Sequence, residues 1–121
     1  MSCELPAGSK LTAHSSPLIA VILSDSCCRP RRWGVTAYAL AVAGIDPLHD
    51  QKGAHDLYGR EIRITQEAVA DQLATAANML MGNADASTPA VIMRDHKTPL
   101  SDYEGWVPGI AREEDLFAGL L

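Results

Sequence analysis

Apolar residues gather along this chain in short blocks separated by polar turns, and the first block sets the scheme. Leu18-Ile19-Ala20-Val21-Ile22-Leu23 is an unbroken apolar run that stops at Ser24-Asp25-Ser26-Cys27-Cys28-Arg29-Pro30-Arg31-Arg32-Trp33-Gly34. A short run of this kind, rich in β-branched residues, predicts a strand buried on both faces from about Leu18 to Ser24. The polar stretch that follows predicts a loop held at the strand's end, where a fixed strand and a variable loop together place chemical groups. An acid beside a hydroxyl suits a hard divalent cation, and the arginines just beyond suit phosphate or carboxylate. A turn whose charges simply face water fits the same spacing equally well.

From Val35 to Ala43 the chain alternates Tyr38, Leu40 and Val42 with alanines, which predicts a second strand with one close-packed face. Helix competes there because alanine favours it, but Gly34 and Gly44 bracket the segment. Residues 45 to 60 are rich in turn signals, with short strands expected around Leu48–Gln51 and Ile62–Ile64, joined through Gly53. Thr65 then opens the clearest helix, Gln66 to Met81, about 24 Å long. Thr65 is the expected N-cap, Glu67 lies in the first turn, and Gly82 supplies the stop. Val69, Leu73, Ala76 and Leu80 make its apolar stripe, with Gln66, Asp71, Thr75 and Asn78 off it. Beyond Asn83–Thr88, a polar loop, Pro89–Met93 predicts a short buried strand. Residues 96 to 111 look irregular, and 112 to 121 predict an acidic-fronted terminal helix. The expected fold class is α+β: a mixed sheet of four or five strands, one long helix and a short carboxy-terminal helix. Residues 1–17 read as a loose amino-terminal arm to a domain over 18–121.

Composition narrows the function. The chain has 121 residues and a formal charge of −5; it lacks the basic face a nucleic acid would need. Within that acidic balance the arginines after Asp25 suit a small anion better than a polyanion. No apolar run approaches the length of a membrane span, and the first residues lack the pattern of a secretion signal. Of 3 cysteines, two are adjacent and could join only in a strained ring, so reduced thiols and a cytoplasmic protein are expected. A P-loop and paired CxxC units are both missing. Cys27-Cys28 reads as a passive thiol pair, and His49, Asp50, His55 and Asp56 as surface turn residues.

Taken in order, however, several segments resemble one family. Val21-Ile22-Leu23-Ser24-Asp25-Ser26 with Arg29-Pro30 and Arg32 is similar to "V-I-V-S-D-T-x-G-R-P-x-R". Asp56-Leu57-Tyr58-Gly59-Arg60-Glu61-Ile62 is similar to "D-x-[FY]-G-R-E-L". The segment Thr65 to Gly82 resembles "T-x-x-A-x-A-D-x-[IL]-A-x-A-A-x-L-x-M-G". Pro89–Ile92 and Glu113–Phe117 have counterparts too. The family is that of the gamma-glutamyl ligases of the deazaflavin coenzyme F-420, and the resemblance runs from about Leu18 to Phe117.

The resemblance implies a GTP-dependent ligase that joins L-glutamate to a deazaflavin acceptor through an acyl phosphate, with manganese or magnesium ions. It makes Asp25 a metal ligand, Ser26 the counterpart of a threonine at a second metal, and Asn83 a ligand of that second metal. Residues Met81, Gly82, Asn83, Ala84, Asp85, Ala86, Ser87 and Thr88 match a GTP-contacting segment. Arg29 and Arg32 match signature arginines, for which anion binding is the expected role. Ser26 replaces threonine and Cys28 replaces a glycine. The family's amino-terminal half, with a further metal-binding acid, has no counterpart, so a partial enzyme completed by that half is expected. A homodimer is implied as well. The rival expectation is a non-catalytic domain of this family that dimerises through its sheet.

Overall fold

A computed structural model describes residues 19–120. The expected arm over 1–17 lies outside them. Six elements follow in order: Val21–Arg29 (β1), Arg32–Ile45 (β2), His49–Asp50 (β3), Gln66–Glu67 (β4), the helix Val69–Met81 (α1) and Leu100–Trp106 (β5). One sheet has the order β1-β2-β5 and the other pairs β3 with β4; both are antiparallel. The α+β class is as expected, its strands divided between a sheet of three and a second small sheet, with one helix.

The burial pattern of β2 explains why its sequence also looked helical. Its buried residues are Ala37, Ala39, Val42 and Ile45, so the spacing changes from two residues to three. A regular strand would turn alternate residues inward. Leu23 pairs with Ala41 but Ser24 pairs with Ala39, so Leu40 is an extra residue that resets the alternation. A second irregularity lies between Ala43 and Ile45 on the β5 side. These shifts keep Ala39, Val42 and Ile45 on one face, where they meet Ala70 of α1 and the flanking Ala20, Ile22, Leu73, Tyr103 and Val107. Gly44 is required by a close approach: its φ is 84°, and a Cβ there would lie 2.9 Å from the carbonyl oxygen of Ile19.

Helix α1 packs with a different face from the expected one. Val69, Ala70 and Ala74 are buried, while Ala76 is exposed and Leu80 is 69% exposed. Asp71 and Thr75 face β2. The backbone N–H of Ala39 donates to Asp71 Oδ1 at 2.8 Å, and Thr75 Oγ1 donates to the carbonyl of Ala37 at 2.7 Å. β5 pairs with β2 only from Ala41 to Ile45, so no third strand among the described residues reaches Ala37 and Ala39. One helical turn separates Asp71 from Thr75, which lets a single helix face satisfy both backbone groups. The helix also starts later than expected. Gln66 and Glu67 are taken into the ladder with Asp50 and His49. Ala68 is the N-cap, with no side-chain capping bond, so Thr65 is not the cap. Ala70 N–H instead donates to the carbonyl of Pro47 at 3.1 Å. Gly82 ends the helix as expected, its N–H bonded to the Asn78 carbonyl at 2.8 Å.

Further expectations change. The polar stretch after Leu23 is strand as far as Arg29. β1 is not buried on both faces, since Val21 and Leu23 are 62% and 57% exposed. Pro89–Met93 forms no strand, whereas Leu100–Trp106, inside the stretch read as irregular, does. Residues 112–120 fold as turns with no helix. β5 escaped notice because LSDYEGW has no apolar alternation; its half-buried residues are Ser101, Tyr103 and Gly105. Ile62–Ile64 is not a strand, although Gly53 and Ala54 exchange backbone bonds with Ile62 beside the β3–β4 pair.

Two substitutions test this packing in urea unfolding at constant m. Ile45→Ala empties a position only 1% exposed and is expected to cost about 2–5 kcal/mol. Leu80→Ala, on the stripe that the structure leaves in solvent, is expected to change stability by less than about 0.5 kcal/mol.

Candidate functional site

Strand pairing sets the geometry around Asp25. It lies opposite Tyr38, and Ser26 lies opposite Ala37. Facing residues of an antiparallel pair share a side of the sheet, and neighbours along a strand take opposite sides. Ser26 is therefore on the side of α1, and Asp25 on the other. Both residues are exposed. The Asp25 carboxylate is partly engaged: its Oδ1 accepts the backbone N–H of Ser26 at 2.7 Å. Its second oxygen and the Ser26 hydroxyl remain open to solvent.

The arginines sit at the end of the same hairpin. Arg29 pairs with Arg32 across Pro30 and Arg31, the latter at φ 54°. Proline's fixed φ followed by a positive φ is the arrangement of a type II turn. Just inside it Cys28 pairs with Val35, so Trp33 and Gly34 bulge from the ladder. Trp33 is 99% exposed. The turn brings the backbones of Arg29 and Arg32 face to face and holds Arg29, Arg31 and Arg32 in water at one tip. Cys27 is half-buried and Cys28 exposed, and both are free thiols.

The Met81–Thr88 segment begins at the carboxy-terminal end of α1. Met81 and Thr88 are half-buried, and Asn83, Ala84, Asp85, Ala86 and Ser87 are exposed. Short local bonds shape it: Ser87 Oγ donates to the Asp85 carbonyl at 3.3 Å and Thr88 Oγ1 to the Ala86 carbonyl at 3.1 Å. Thr75 relates the helix to the hairpin, since its hydroxyl lies 3.1 Å from that of Thr36, the partner of Cys27. Ser26 shares its side of the sheet with the buried Ala37, and Asp25 faces away from it. Among the described residues, no three His, Cys, Asp or Glu side chains gather as a metal site. His49, Asp50, His55 and Asp56 lie along the β3–β4 arm, all exposed, as the reading of surface turn residues had it. Asp56 organises the tip of that arm, its Oδ1 accepting the N–H groups of Tyr58 and Arg60 at 2.8 and 2.9 Å.

One feature had no signal in the sequence. An apolar groove of about 500 Å³ opens beside β1, lined by Ile22, Ser24, Leu73, Met81, Val91 and His96 among others. His96 Nδ1 accepts the backbone N–H of Thr98 at 3.2 Å. The groove's walls come from β1, α1 and residues 89–100, which no spacing rule connects. No helix among the described residues is long and apolar enough to cross a membrane.

A hairpin with an acid-hydroxyl pair, a helix bracketed to its edge and a polar loop beyond define an α+β domain whose sequence matches one family model. Residues 8–95 match that of the F420-0:gamma-glutamyl ligases. The chain belongs to this family. It is 46% identical over 103 residues to the coenzyme F420:L-glutamate ligase of Methanothermobacter thermautotrophicus, covering 84% of this chain and 41% of that protein. The ligase of the same name from Methanocaldococcus jannaschii is 44% identical over 99 residues, 82% of this chain and 40% of that protein. That from Methanopyrus kandleri is 47% identical over 87 residues, 72% of this chain and 34% of that protein. The chain thus spans about two fifths or less of the length of these curated relatives.

Asp25 is exposed and its one bonded partner, the Ser26 N–H, is exposed too. Asp25→Ala is therefore expected to shift stability by less than about 0.5 kcal/mol, measured by thermal unfolding.

Proposed function

We propose that this chain is the carboxy-terminal part of a GTP-dependent coenzyme F420:gamma-glutamyl ligase and supplies one wall of its nucleotide and metal site. The observation that carries the reading is 46% identity to a coenzyme F420:L-glutamate ligase across 84% of the chain, a match that includes Asp25-Ser26 and the segment after α1. The other wall belongs to the part of the relatives this chain does not span. Activity requires both.

The donors present fit magnesium or manganese. Such ions prefer hard oxygen ligands, and magnesium commonly takes one or two carboxylates plus substrate phosphates and water instead of an all-protein cage. One open carboxylate oxygen on Asp25, the Ser26 hydroxyl and the Asn83 amide carbonyl are donors of that kind, with phosphate oxygens and the missing wall completing the shell. Asp25 and Ser26, on opposite sides of β1, would serve separate ions, with Asn83 joining Ser26. When bound, the ions neutralise the charge of the triphosphate and of the transferring phosphoryl group.

The chemistry then has two stages. The acceptor's carboxylate oxygen attacks the γ-phosphorus of GTP, GDP leaves, and an acyl phosphate remains. The amine of L-glutamate attacks its carbonyl carbon, the amine loses a proton, and phosphate departs as the amide forms. In this chain Met81–Thr88 bounds the nucleotide with its backbone and short polar side chains. Arg29 and Arg32 offer donors to an anionic group of a substrate. Cytoplasmic residence, where GTP and reduced thiols occur together, goes with this reading.

Calorimetric titration of GTP with manganese tests it. The wild-type chain is expected to bind, and Asp25→Ala to bind at least about tenfold more weakly, the scale of one charged ligand lost. Absence of binding by wild type, or equal binding by the variant, overturns the reading. A second reading has one observation in its favour. Leu23, Ala41 and Trp106 face one another across the three strands on the side away from α1, with Leu23 57% and Trp106 73% exposed. A non-catalytic domain that dimerises through this face would associate at high concentration and be indifferent to substitution of Asp25 or Asn83, which light scattering with these variants decides.

A further inference from the structure

Among the described residues β1 is an edge strand of its three-stranded sheet, yet its first half has the composition of an interior one. Val21 to Leu23 are apolar without alternation, and within β1 no charged residue appears before Asp25. Edge strands of soluble proteins are ordinarily protected by charges, prolines or bulges of their own. Here Ile19, Val21 and Leu23 are 70%, 62% and 57% exposed. Ile22 and Ser24 line the 500 Å³ groove, as do Ile19, Ala20 and Val21. One face of this half-strand is exposed, and the other, where Ile22 touches the core, is only partly covered.

Among the described residues, the backbone along that edge is also unpaired. Opposite residues of an antiparallel ladder either exchange both bonds or point both groups outward. Ala39 N–H goes to Asp71 and the Ala37 carbonyl to Thr75, away from β1. Their partners Ser24 and Ser26 therefore turn their N–H and C=O groups to the free edge. The Ser26 N–H is already taken by the Asp25 carboxylate. The Ser24 N–H is not, so Asp25 closes the edge on its own side and leaves the apolar half open.

We propose that β1 is an interior strand of the assembled protein, and that an apolar strand from the region of the relatives this chain does not match adds antiparallel or parallel to its free edge over Val21–Ser24. Main-chain bonds to Ser24 give the strand its register, and alternate side chains fill the groove and cover Val21 and Leu23. The occupant is argued from length: relatives 46% identical to this chain carry well over half of their residues outside the match, and the apolar strand and groove are where such residues find cover. The proposal deepens the ligase reading by naming where the second wall of the site attaches. That attachment also explains why the added strand stops at Asp25, which leaves the carboxylate at the seam.

The test co-expresses this chain with the unmatched region of the Methanothermobacter thermautotrophicus relative as a separate polypeptide. A 1:1 complex by light scattering is expected, with amide exchange at Ser24 slowed at least tenfold on assembly. Ser24→Pro removes the outward N–H without breaking a β1–β2 bond, and Leu23→Lys places a charge on the covered face at an already exposed position. Each is expected to weaken the complex at least tenfold while far-ultraviolet circular dichroism of the chain alone stays unchanged. If Ser24→Pro does not fold, Leu23→Lys decides. No complex, a complex with fast Ser24 exchange, or indifference to Leu23→Lys overturns the proposal. So does a dimer of this chain alone with Ser24 already protected, which would make the occupant a second copy. These readouts use no nucleotide, so their failure is separate from failure of GTP binding.

Discussion

Two backbone groups in the middle of β2 are the constraint on which much of this molecule depends. Ala37 and Ala39 turn a carbonyl and an N–H away from β1 at a level that β5 does not reach. A part-buried backbone group without a partner is costly, about 1–3 kcal/mol. Asp71 and Thr75 meet these groups from a single face of α1, so a helix occupies the place of a strand. Its tilt and height on the sheet follow from those two bonds. Small residues beneath it, Ala37, Ala39, Ala70 and Ala74, permit the close approach.

The placement of α1 has consequences at both ends. At its start, Ala70 is tied to Pro47, and the β3–β4 arm leaves the body of the fold there. At its end, Gly82 releases the Met81–Thr88 segment. Because α1 lies over β2, it leaves the inner face of β1 only partly covered, and the groove is the result. The open groove, the bare edge and the exposed apolar residues of β1 have this common origin.

The hairpin shows how far a pattern of residues carries. Its existence was legible: an apolar run, a polar break with Pro30 and Gly34, and an alternating alanine-rich segment. Its extent was not. Ser24–Arg29 has the composition of a loop, and it is extended because β2 pairs with it residue by residue. The phase of β2 was hidden by Leu40, whose bulge is visible only once the partner strand is known. Helix α1 was legible in its centre and at Gly82, but its start was decided by β3, which draws Gln66 and Glu67 into a ladder. The polar pair Asp71 and Thr75 was read only as lying off the apolar stripe because periodicity counts apolar residues, whereas these two are held toward β2 by hydrogen bonds. β5 carried no usable pattern, and the acidic-fronted stretch read as a terminal helix folds as turns over residues 112–120.

What the sequence by itself determined is the family, the α+β class, and the identity of the groups around Asp25, because motifs of fixed spacing survive in the linear order of residues. The tertiary structure alone decided on which side of β1 each of those groups stands. It placed Asp25 and Ser26 on opposite sides. It also turned an apolar run that reads as doubly buried into an exposed edge. The reason is physical: burial and facing depend on which backbone groups find partners across the sheet, and those partners lie tens of residues away along the chain.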